Sequence, residues 1–347
     1  VKAYLLKDFN SNRVLAEQQS QNRVEPASLT KLMTAYLSFK ALKASQLQLD
    51  QTLPISEKAW RVEGSKMFVD TTMTVTVDEL LHGMIIQSGN DASIALAEGI
   101  GGTEDAFAAK MNKEAARLGM KNTHFMNATG LPDAQHYTTA YDLSLLATAL
   151  ITDFPDQYKR LYSVKEYTYN KITQPNRNRL LWLDPNVDGM KTGHTDSAGF
   201  CLISSAKRGE HRLISVVLGA ANDNARATES QKLLNYGYQF FDTHLVYKAG
   251  TAIAMQKIWK GSDSKVAATT FHDLYVTLPK GDYARAKAKV IGKPSLVAPI
   301  AEGQEIGTIQ FTIDGKVVDE QKLLAAKEVK VAGIFGRLWD SLMMMFA

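Results

Sequence analysis

A serine hydroxyl is a poor nucleophile until a neighbouring base takes its proton, and Ser28 has Lys31 three residues downstream. Pro26 precedes a helical pattern of Leu29, Leu32, Met33, Tyr36, Leu37 and Leu42. At the mouth of such a helix, i, i+3 spacing puts the Ser28 hydroxyl and the Lys31 amine on one face. The helix N-terminus also offers unsatisfied N–H groups and its positive dipole end to an oxyanion. Lys31 serves as a base only if its pKa falls, through burial and a second cation such as Lys191. Read alone, the pair is an ordinary N-cap serine with a solvated lysine one turn on.

Two further segments carry chemistry. Ser88-Gly89-Asn90 breaks a helical pattern that ends at Ile85-Ile86 and resumes near Ile94. A polar break between helices aims a hydroxyl and an amide into a cleft; its plainer reading is an interhelical turn. In Lys191-Thr192-Gly193-His194-Thr195, before the strand at Phe200, Gly193 permits close backbone approach. The lysine and two threonines suit a carboxylate, or merely end a strand. Lys-Thr-Gly occurs once, where chance would supply it in about one chain in ten of this length. Ser-x-x-Lys recurs at Ser204–Lys207 and Ser262–Lys265, and Ser-x-Asn at Ser20–Asn22. Context separates these copies: Ser204 lies in a strand pattern, where i and i+3 face opposite ways, and Ser262 in a turn-like segment.

The elements around the motifs define the architecture. Tyr4–Leu6 and Val14–Ala16 flank the turn residues Asn10–Asn12 and read as a hairpin. Thr76 with Glu79 forms a capping box before one helix, Thr103 opens another that stops at Gly119, and Thr139 with Asp142 opens a third. Strands return at Phe200–Ser204 and Leu213–Leu218 around Gly209-Glu210, and a helix spans about Ala225 to Phe241. Strands at both ends with helices between predict an α+β fold, an antiparallel sheet flanked by helices with an all-helical subdomain. Beyond Phe241 the pattern is of short strands and turns, with a hairpin across Asp314-Gly315. Ile334, Phe335, Leu338, Trp339, Leu342 and Phe346 then share one helical face, with Arg337, Asp340 and Ser341 opposite. The expected division is 1–241 catalytic, 242–331 small and all-β, and 332–347 an amphipathic helix lying in a membrane surface.

Bulk composition narrows the classes. At 347 residues, 45% apolar and 22% charged, the chain has room for two domains and a large core. The net charge of +4 is scattered, which argues against nucleic-acid binding. Cys201 is the single cysteine and reads as a small buried hydrophobe. His82 and His124 lack partners at metal-ligand spacing, so no metal and no cofactor is expected. No apolar run approaches the roughly 20 residues that span a bilayer. The first residue is Val1, consistent with a removed secretory leader or with simple trimming.

The three motifs, in this order, form a set shared by penicillin-binding proteins and class A β-lactamases. The chain resembles the low-molecular-mass D-alanyl-D-alanine carboxypeptidases of penicillin-binding protein 5 and 6 type. The resemblance runs nearly end to end, through Pro26–Lys31, Gln87–Asp91, Gly119–Phe125, Val187–Thr195 and the Phe335–Phe346 tail. It implies a catalytic domain of penicillin-recognising fold, a β-rich second domain and a C-terminal amphipathic anchor at the periplasmic face of a bacterial inner membrane. It implies that Ser28 attacks the penultimate D-alanine carbonyl of peptidoglycan stem peptides, and that β-lactam antibiotics acylate the same serine. Lys31 would take the serine proton; Ser88 and Lys191 would relay protons toward the leaving amine, and Asn90 would position the substrate amide. The N–H groups of Ser28 and His194 would form the oxyanion hole, and Thr192, Thr195 and Arg177 would receive the terminal carboxylate. Asn127–Leu131 lacks a histidine that some relatives carry, so that loop is assigned no catalytic role. Val62–Phe68 is shorter by a few residues than the family pattern, so no deacylation behaviour is carried over from it. Asp142 would support the active-site loop, or only cap its helix.

Two rival functions share this scaffold. A β-lactamase needs a deacylating glutamate; Glu166-Tyr-Thr-Tyr-Asn170 has the spacing, but Val164, Tyr167 and Tyr169 read as a strand. A non-catalytic glycan-binding scaffold would have lost Ser28 or Lys31, and both are present. Arg285, Lys287 and Lys289 alternate as if on one strand face, solvated or touching anionic glycan or lipid.

Overall fold

The apolar N-terminal run becomes the interior of a sheet that the chain leaves and later completes. Ala3–Asp8 (β1) pairs antiparallel with Val14–Gln18 (β2) across a turn in which Asn12 has a φ of 61°. Val187–Thr195 (β3), Gly199–Arg208 (β4) and His211–Ala220 (β5) close the sheet in the order β2-β1-β5-β4-β3, antiparallel throughout. Adjacent residues of β1 face opposite sides: Leu5 joins the main helical core, while Leu6 packs with Leu213 and Leu234 beneath the helix Asp223–Phe240. Both faces of the sheet are therefore covered, and the runs of β4 and β5 are apolar on both sides. The computed structural model describes residues 1–343, in two units, Val1–Tyr238 and a second beginning at Gln239.

Apart from the helix that follows β5, the helices of the first unit fall between β2 and β3, as the sequence pattern requires. Lys31–Lys43 (α1) is buried on nearly all sides, so its apolar residues form no single stripe. The Thr76/Glu79 capping box opens Val77–Ile86 (α2). Asn90–Gly101 (α3) follows directly, and Thr103 caps Glu104–Arg117 (α4) through the Ala106 N–H. Thr139 caps Ala140–Asp153 (α5), and Asp223–Phe240 is α6. The Asp142 carboxylate does not cap its helix; it accepts from Asn122 N–H at 2.8 Å and Thr123 Oγ1 at 2.7 Å.

One expectation about the nucleophile is corrected. Ser28 does not open an α-helix; it lies in the 3₁₀ turn Ala27–Thr30, and α1 begins at Lys31. Ala27 takes a φ of 47° and Leu29 N–H returns to Pro26 O, which tightens the turn. The i and i+3 side chains eclipse in a 3₁₀ turn, which brings Lys31 closer to Ser28 than an α-turn would.

The second unit has its own core, built around Ile258, Val276, Ile309 and Leu323. Its strands are Phe241–Tyr247 (β6), Ala254–Lys257 (β7), Lys265–Thr269 (β8), Leu274–Pro279 (β9), Lys287–Gly292 (β10), Glu305–Ile313 (β11) and Lys316–Ala325 (β12). They form a five-stranded sheet, β7-β8-β12-β11-β10, and the pair β6-β9. Asp314 and Gly315 both take positive φ, 49° and 80°, the two-residue turn that matches the twist of a hairpin. Arg285 is not on a strand face with Lys287 and Lys289. It sits in the 3₁₀ turn Tyr283–Arg285 and pairs with Asp282 and Asp314. Ile334–Met343 (α7) turns Asp340 inward, its carboxylate accepting from the Lys260 N–H, while Phe335 is 88% exposed. Phe346, assigned to the same apolar face, lies outside the described residues. No helix of the described residues is long and apolar enough to cross a membrane.

Candidate active site

The 3₁₀ turn, the α2–α3 break and β3 meet at one cleft of about 650 Å³. Ser28, Ser88, Asn90, Arg177, Thr192, Gly193, His194 and Thr195 line it. Lys31 and Lys191 lie beneath this lining, 1% and 3% exposed. All ten residues picked from the sequence are thus brought together.

Lys31 Nζ has three contacts: Ser28 Oγ at 2.9 Å, Asn90 Oδ1 at 2.7 Å and the Thr129 carbonyl at 2.6 Å. The last two are acceptors only. A neutral amine has two N–H groups and one lone pair, so satisfying both acceptors leaves the lone pair facing Ser28. The serine O–H then donates to Lys31, the geometry a general base requires. Burial lowers the Lys31 pKa to about 7, against the opposing pull of Asp91 and with a smaller push from Arg177. Asp91 is also buried, but it accepts from the N–H groups of Met67, Phe68, Val69 and Ala92 at 2.9–3.3 Å.

A second buried amine stands opposite. Lys191 Nζ donates to Ser88 Oγ at 2.9 Å and to the Thr192 carbonyl at 2.9 Å. Burial, then the positive charges of Lys31, Arg177 and Arg226, hold its pKa well below the usual lysine range. Ser88 is presented by a left-handed backbone, φ 67°, and Gly89 allows the close return of its N–H to Gly83 O at 3.0 Å. Asn90 is fixed from its other end, Nδ2 donating to Glu63 O at 2.6 Å.

Gly193 runs close under the nucleophile turn: a Cβ there would sit 3.2 Å from both Pro26 O and Leu29 N. Arg177 projects into the cleft between buried Asn176 and Asn178 and has no hydrogen-bond or ion-pair partner among the described residues. Asn176 is held to Val164 O and Asn178 to Gly189 O, which sets the direction of the arginine. Thr195 is already engaged, accepting from Ala198 N–H at 3.0 Å and reaching Glu25 at 3.3 Å. Arg177 and Thr192 are therefore the freer partners for an anion.

Several contributors escaped the sequence reading. The Asn127–Leu131 loop, assigned no role, supplies the Thr129 carbonyl to Lys31. Its Gly130 lies so close to the nucleophile turn that a Cβ would fall 1.8 Å from Ala27 O. His136 bonds Thr30 Oγ1 at 2.9 Å and steadies the same turn; burial lowers its pKa to about 4, keeping it neutral. Arg226 donates to the Gly193 carbonyl at 3.2 Å and pairs with Asp223. A main-chain carbonyl has no sequence signal, but the Asn-x-Thr-Gly turn chemistry at 127–130 was readable. By contrast, Glu166 lies in the exposed strand Glu166–Tyr169, paired with Ile172–Pro175, and does not line the cleft. Among the described residues no group of three or more His, Cys, Asp or Glu side chains is placed to hold a metal.

A half-buried serine bonded to a buried lysine, with a second lysine and an amide across a cleft, defines a serine-type hydrolase, and residues 1–222 match the D-alanyl-D-alanine carboxypeptidase family, peptidase S11. The chain belongs to that family, and residues 241–331 match the C-terminal domain of penicillin-binding protein 5. It is 43% identical to the D-alanyl-D-alanine carboxypeptidase DacC of Escherichia coli (strain K12), across 99% of this chain and 88% of that one. The solved structure of penicillin-binding protein 5 from Haemophilus influenzae superposes with a TM-score of 0.88 at 41% identity, covering 95% and 97% of the two chains. Penicillin-binding protein D2 of Listeria monocytogenes, solved with ampicillin bound, has a TM-score of 0.63 at 33% identity over 68% of this chain and 96% of that one.

Proposed function

We propose that this carboxypeptidase removes the terminal D-alanine of peptidoglycan stem peptides through an ester on Ser28. Ser28 Oγ adds to the penultimate D-alanine carbonyl as its proton passes to Lys31. The carbon–nitrogen bond to the last D-alanine then breaks, and the amine leaves with a proton delivered through Ser88 and Lys191. Water hydrolyses the ester and restores Ser28. The N–H groups of Ser28 and His194 hold the oxyanion, Asn90 holds the substrate amide, and Arg177 with Thr192, Thr195 and Gly193 receives the terminal carboxylate. The observation that carries this reading is the Lys31 amine, buried and bonded at 2.9 Å to Ser28 with its other contacts saturated by acceptors.

Penicillins follow the same first step, with the ring amide as the broken bond; the leaving nitrogen stays tethered and the ester lives longer. The division of labour is 1–241 for catalysis, 242–331 as a β-rich support and 332–347 as an amphipathic helix on the periplasmic surface of the inner membrane. Support for the last comes from α7, whose polar Asp340 faces its own unit while Ile334, Phe335, Leu338 and Trp339 stay exposed.

The test is free D-alanine released from a Lys-D-Ala-D-Ala peptide by the intact chain and by Ser28→Ala. Release that vanishes in the variant supports the reaction and its nucleophile together. No release by folded wild type refutes it. For the anchor, the chain should float with anionic vesicles and a chain ending at Ala332 should not; equal flotation refutes that part.

A further inference from the structure

Lys191 meets Ser88 because β3 carries one residue more than the strand beside it. From Val187 to Gly189 β3 advances two residues while β4 advances one, from Ala206 to Ser205, so Asp188 is the extra residue of a β-bulge. Past the bulge Lys191 stands opposite Ile203, a residue of the main helical core, and so points to the Ser88 side of the sheet. Without the extra residue it would stand opposite Leu202, which packs beneath α6, since a one-residue slip moves a side chain to the other face. Three elements hold Asp188 in place. Arg212 reaches from β5 across β4 and forks onto the carboxylate, Nη1 donating to Oδ1 at 2.8 Å and Nη2 to Oδ2 at 2.7 Å, while Nη1 also donates to Ser205 Oγ at 2.6 Å. Such a bidentate pair fixes direction as well as distance, and Arg212 is only 12% exposed. The Tyr158 hydroxyl, from the helix Pro155–Leu161, donates to the same Oδ1 at 2.7 Å. Burial raises the Tyr158 pKa well above the ordinary tyrosine value, which keeps that donor protonated. The hydroxyl stands so close to the strand that a Cβ on Gly189 would fall 2.4 Å from it. Gly189 O in turn accepts from Asn178 Nδ2 at 3.0 Å.

We infer that Asp188 is a positioning residue for proton delivery to the leaving amine: clasped by Arg212 and Tyr158, it pins the bulge that aims Lys191 at Ser88. This rests on the proposed reaction, in which that proton passes through Ser88 and Lys191. Asp188 does not line the cleft, and its effect runs along three residues of strand. A loosened bulge lets Lys191 draw away from Ser88, while Ser28, Lys31 and Asn90, carried by other elements, stay in place. The step that suffers is departure of the amine, because the nitrogen must gain a proton as its bond to the carbonyl carbon breaks. A thioester carries the same carbonyl to Ser28, but its carbon–sulfur bond breaks with the electron pair leaving on sulfur and no proton required.

The experiment measures kcat/KM, which covers the steps through ester formation, for an acetyl-capped Lys-D-Ala-D-Ala peptide and for its thioester analogue ending in D-thiolactate. In Asp188→Asn, which keeps the shape of the side chain but weakens the fork, the amide constant should fall about tenfold and the thioester constant by less than about twofold. Arg212→Lys, whose ammonium cannot fork, should show the same selectivity at about threefold, and it carries the test alone if Asp188→Asn does not fold. Lys191→Ala sets the reference, a larger loss confined to the amide. Equal losses on both substrates in the clasp variants, or no loss in either variant, overturn the positioning role while leaving the carboxypeptidase reading intact. Equal losses on both substrates in Lys191→Ala overturn the proton route and this inference with it. No release of D-alanine by folded wild type overturns the carboxypeptidase reading and the inference together.

Discussion

Lys31 gives the most direct handle on the chemistry, because the proposed role as base depends on its being uncharged. With its pKa lowered to about 7 by burial, about half of the molecules carry the free base at pH 7; an ordinary lysine would offer roughly one part in two to three thousand. The free-base fraction falls to about a tenth at pH 6 and rises to about nine-tenths at pH 8. Acylation by a fluorescent penicillin with no ionisable group in this range isolates the step, since leaving-group release and hydrolysis do not contribute. The second-order labelling constant should therefore climb about tenfold from pH 6 to pH 8 and level off above. Lys31→Arg should label at least about a hundredfold more slowly at all these pH values, because a guanidinium keeps its proton. A flat wild-type profile between pH 5.5 and 8.5, in protein that stays folded, would refute the assignment of Lys31 as the base.

Three other outcomes follow from the same contacts. Lys7 is buried and its pKa is lowered to about 8 by that burial; the unfolded chain binds the extra proton between about pH 8 and 10.5, so stability from this residue rises with pH there, and at pH 7 its charge carries the full burial penalty. Lys7→Met should raise unfolding stability by about 2–3 kcal/mol at pH 7 in denaturant titration, with the gain shrinking toward pH 10.5. Asp91→Ala orphans the N–H groups of Met67, Phe68 and Val69 and should cost about 3–5 kcal/mol in the same titration, with loss of penicillin labelling. Gly130→Ala forces a Cβ to within 1.8 Å of Ala27 O from a glycine with φ 85° and, by displacing the nucleophile turn, should slow labelling about a hundredfold; labelling at the wild-type rate would show that the turn has room to move.

The order of elements was readable because local signals agreed with the tertiary result. The Thr76–Glu79 box, the Thr103 and Thr139 caps and the Asp314-Gly315 turn each satisfy nearby backbone groups in the structure. The stretch between Asp153 and Asn186 was poorly read, with its short helices Pro155–Leu161 and Leu180–Leu183 carrying too few turns for a periodic pattern. The 3₁₀ opening at Ser28 was missed for a different reason. Its Ser-Leu-Thr-Lys composition suits an α-helix, and the turn is packed against Gly130 and Gly193 of distant segments, which no local pattern records. The convergence of Ser28, Ser88, Asn90 and Lys191 on one cleft was legible because these residue types have few other uses in combination. What each contact does to a pKa was not, since that depends on which acceptors close around the amine.

The placement of Asp91 shows why that closure matters. It is the buried carboxylate whose charge most opposes the lowering of the Lys31 pKa. A direct ion pair would hold Lys31 protonated and remove the base. Both Asp91 oxygens are instead occupied by main-chain N–H groups of the 67–69 segment and of α3. Those same bonds tie the segment to the helix that begins with Asn90, whose oxygen is one of the two acceptors that aim the Lys31 lone pair at Ser28. One carboxylate thus orders the wall of the cleft while withholding the partner that would disable the lysine. On this reasoning a residue of the same charge but longer reach weakens the base even where it keeps the segment ordered. Asp91→Glu keeps an acceptor for some of the segment but extends a carboxylate by one methylene. If that brings it to Lys31, the midpoint of the labelling profile should move up from about pH 7 by at least a unit. An unshifted midpoint in Asp91→Glu would mean that the separation of Asp91 from Lys31 does not set the base strength.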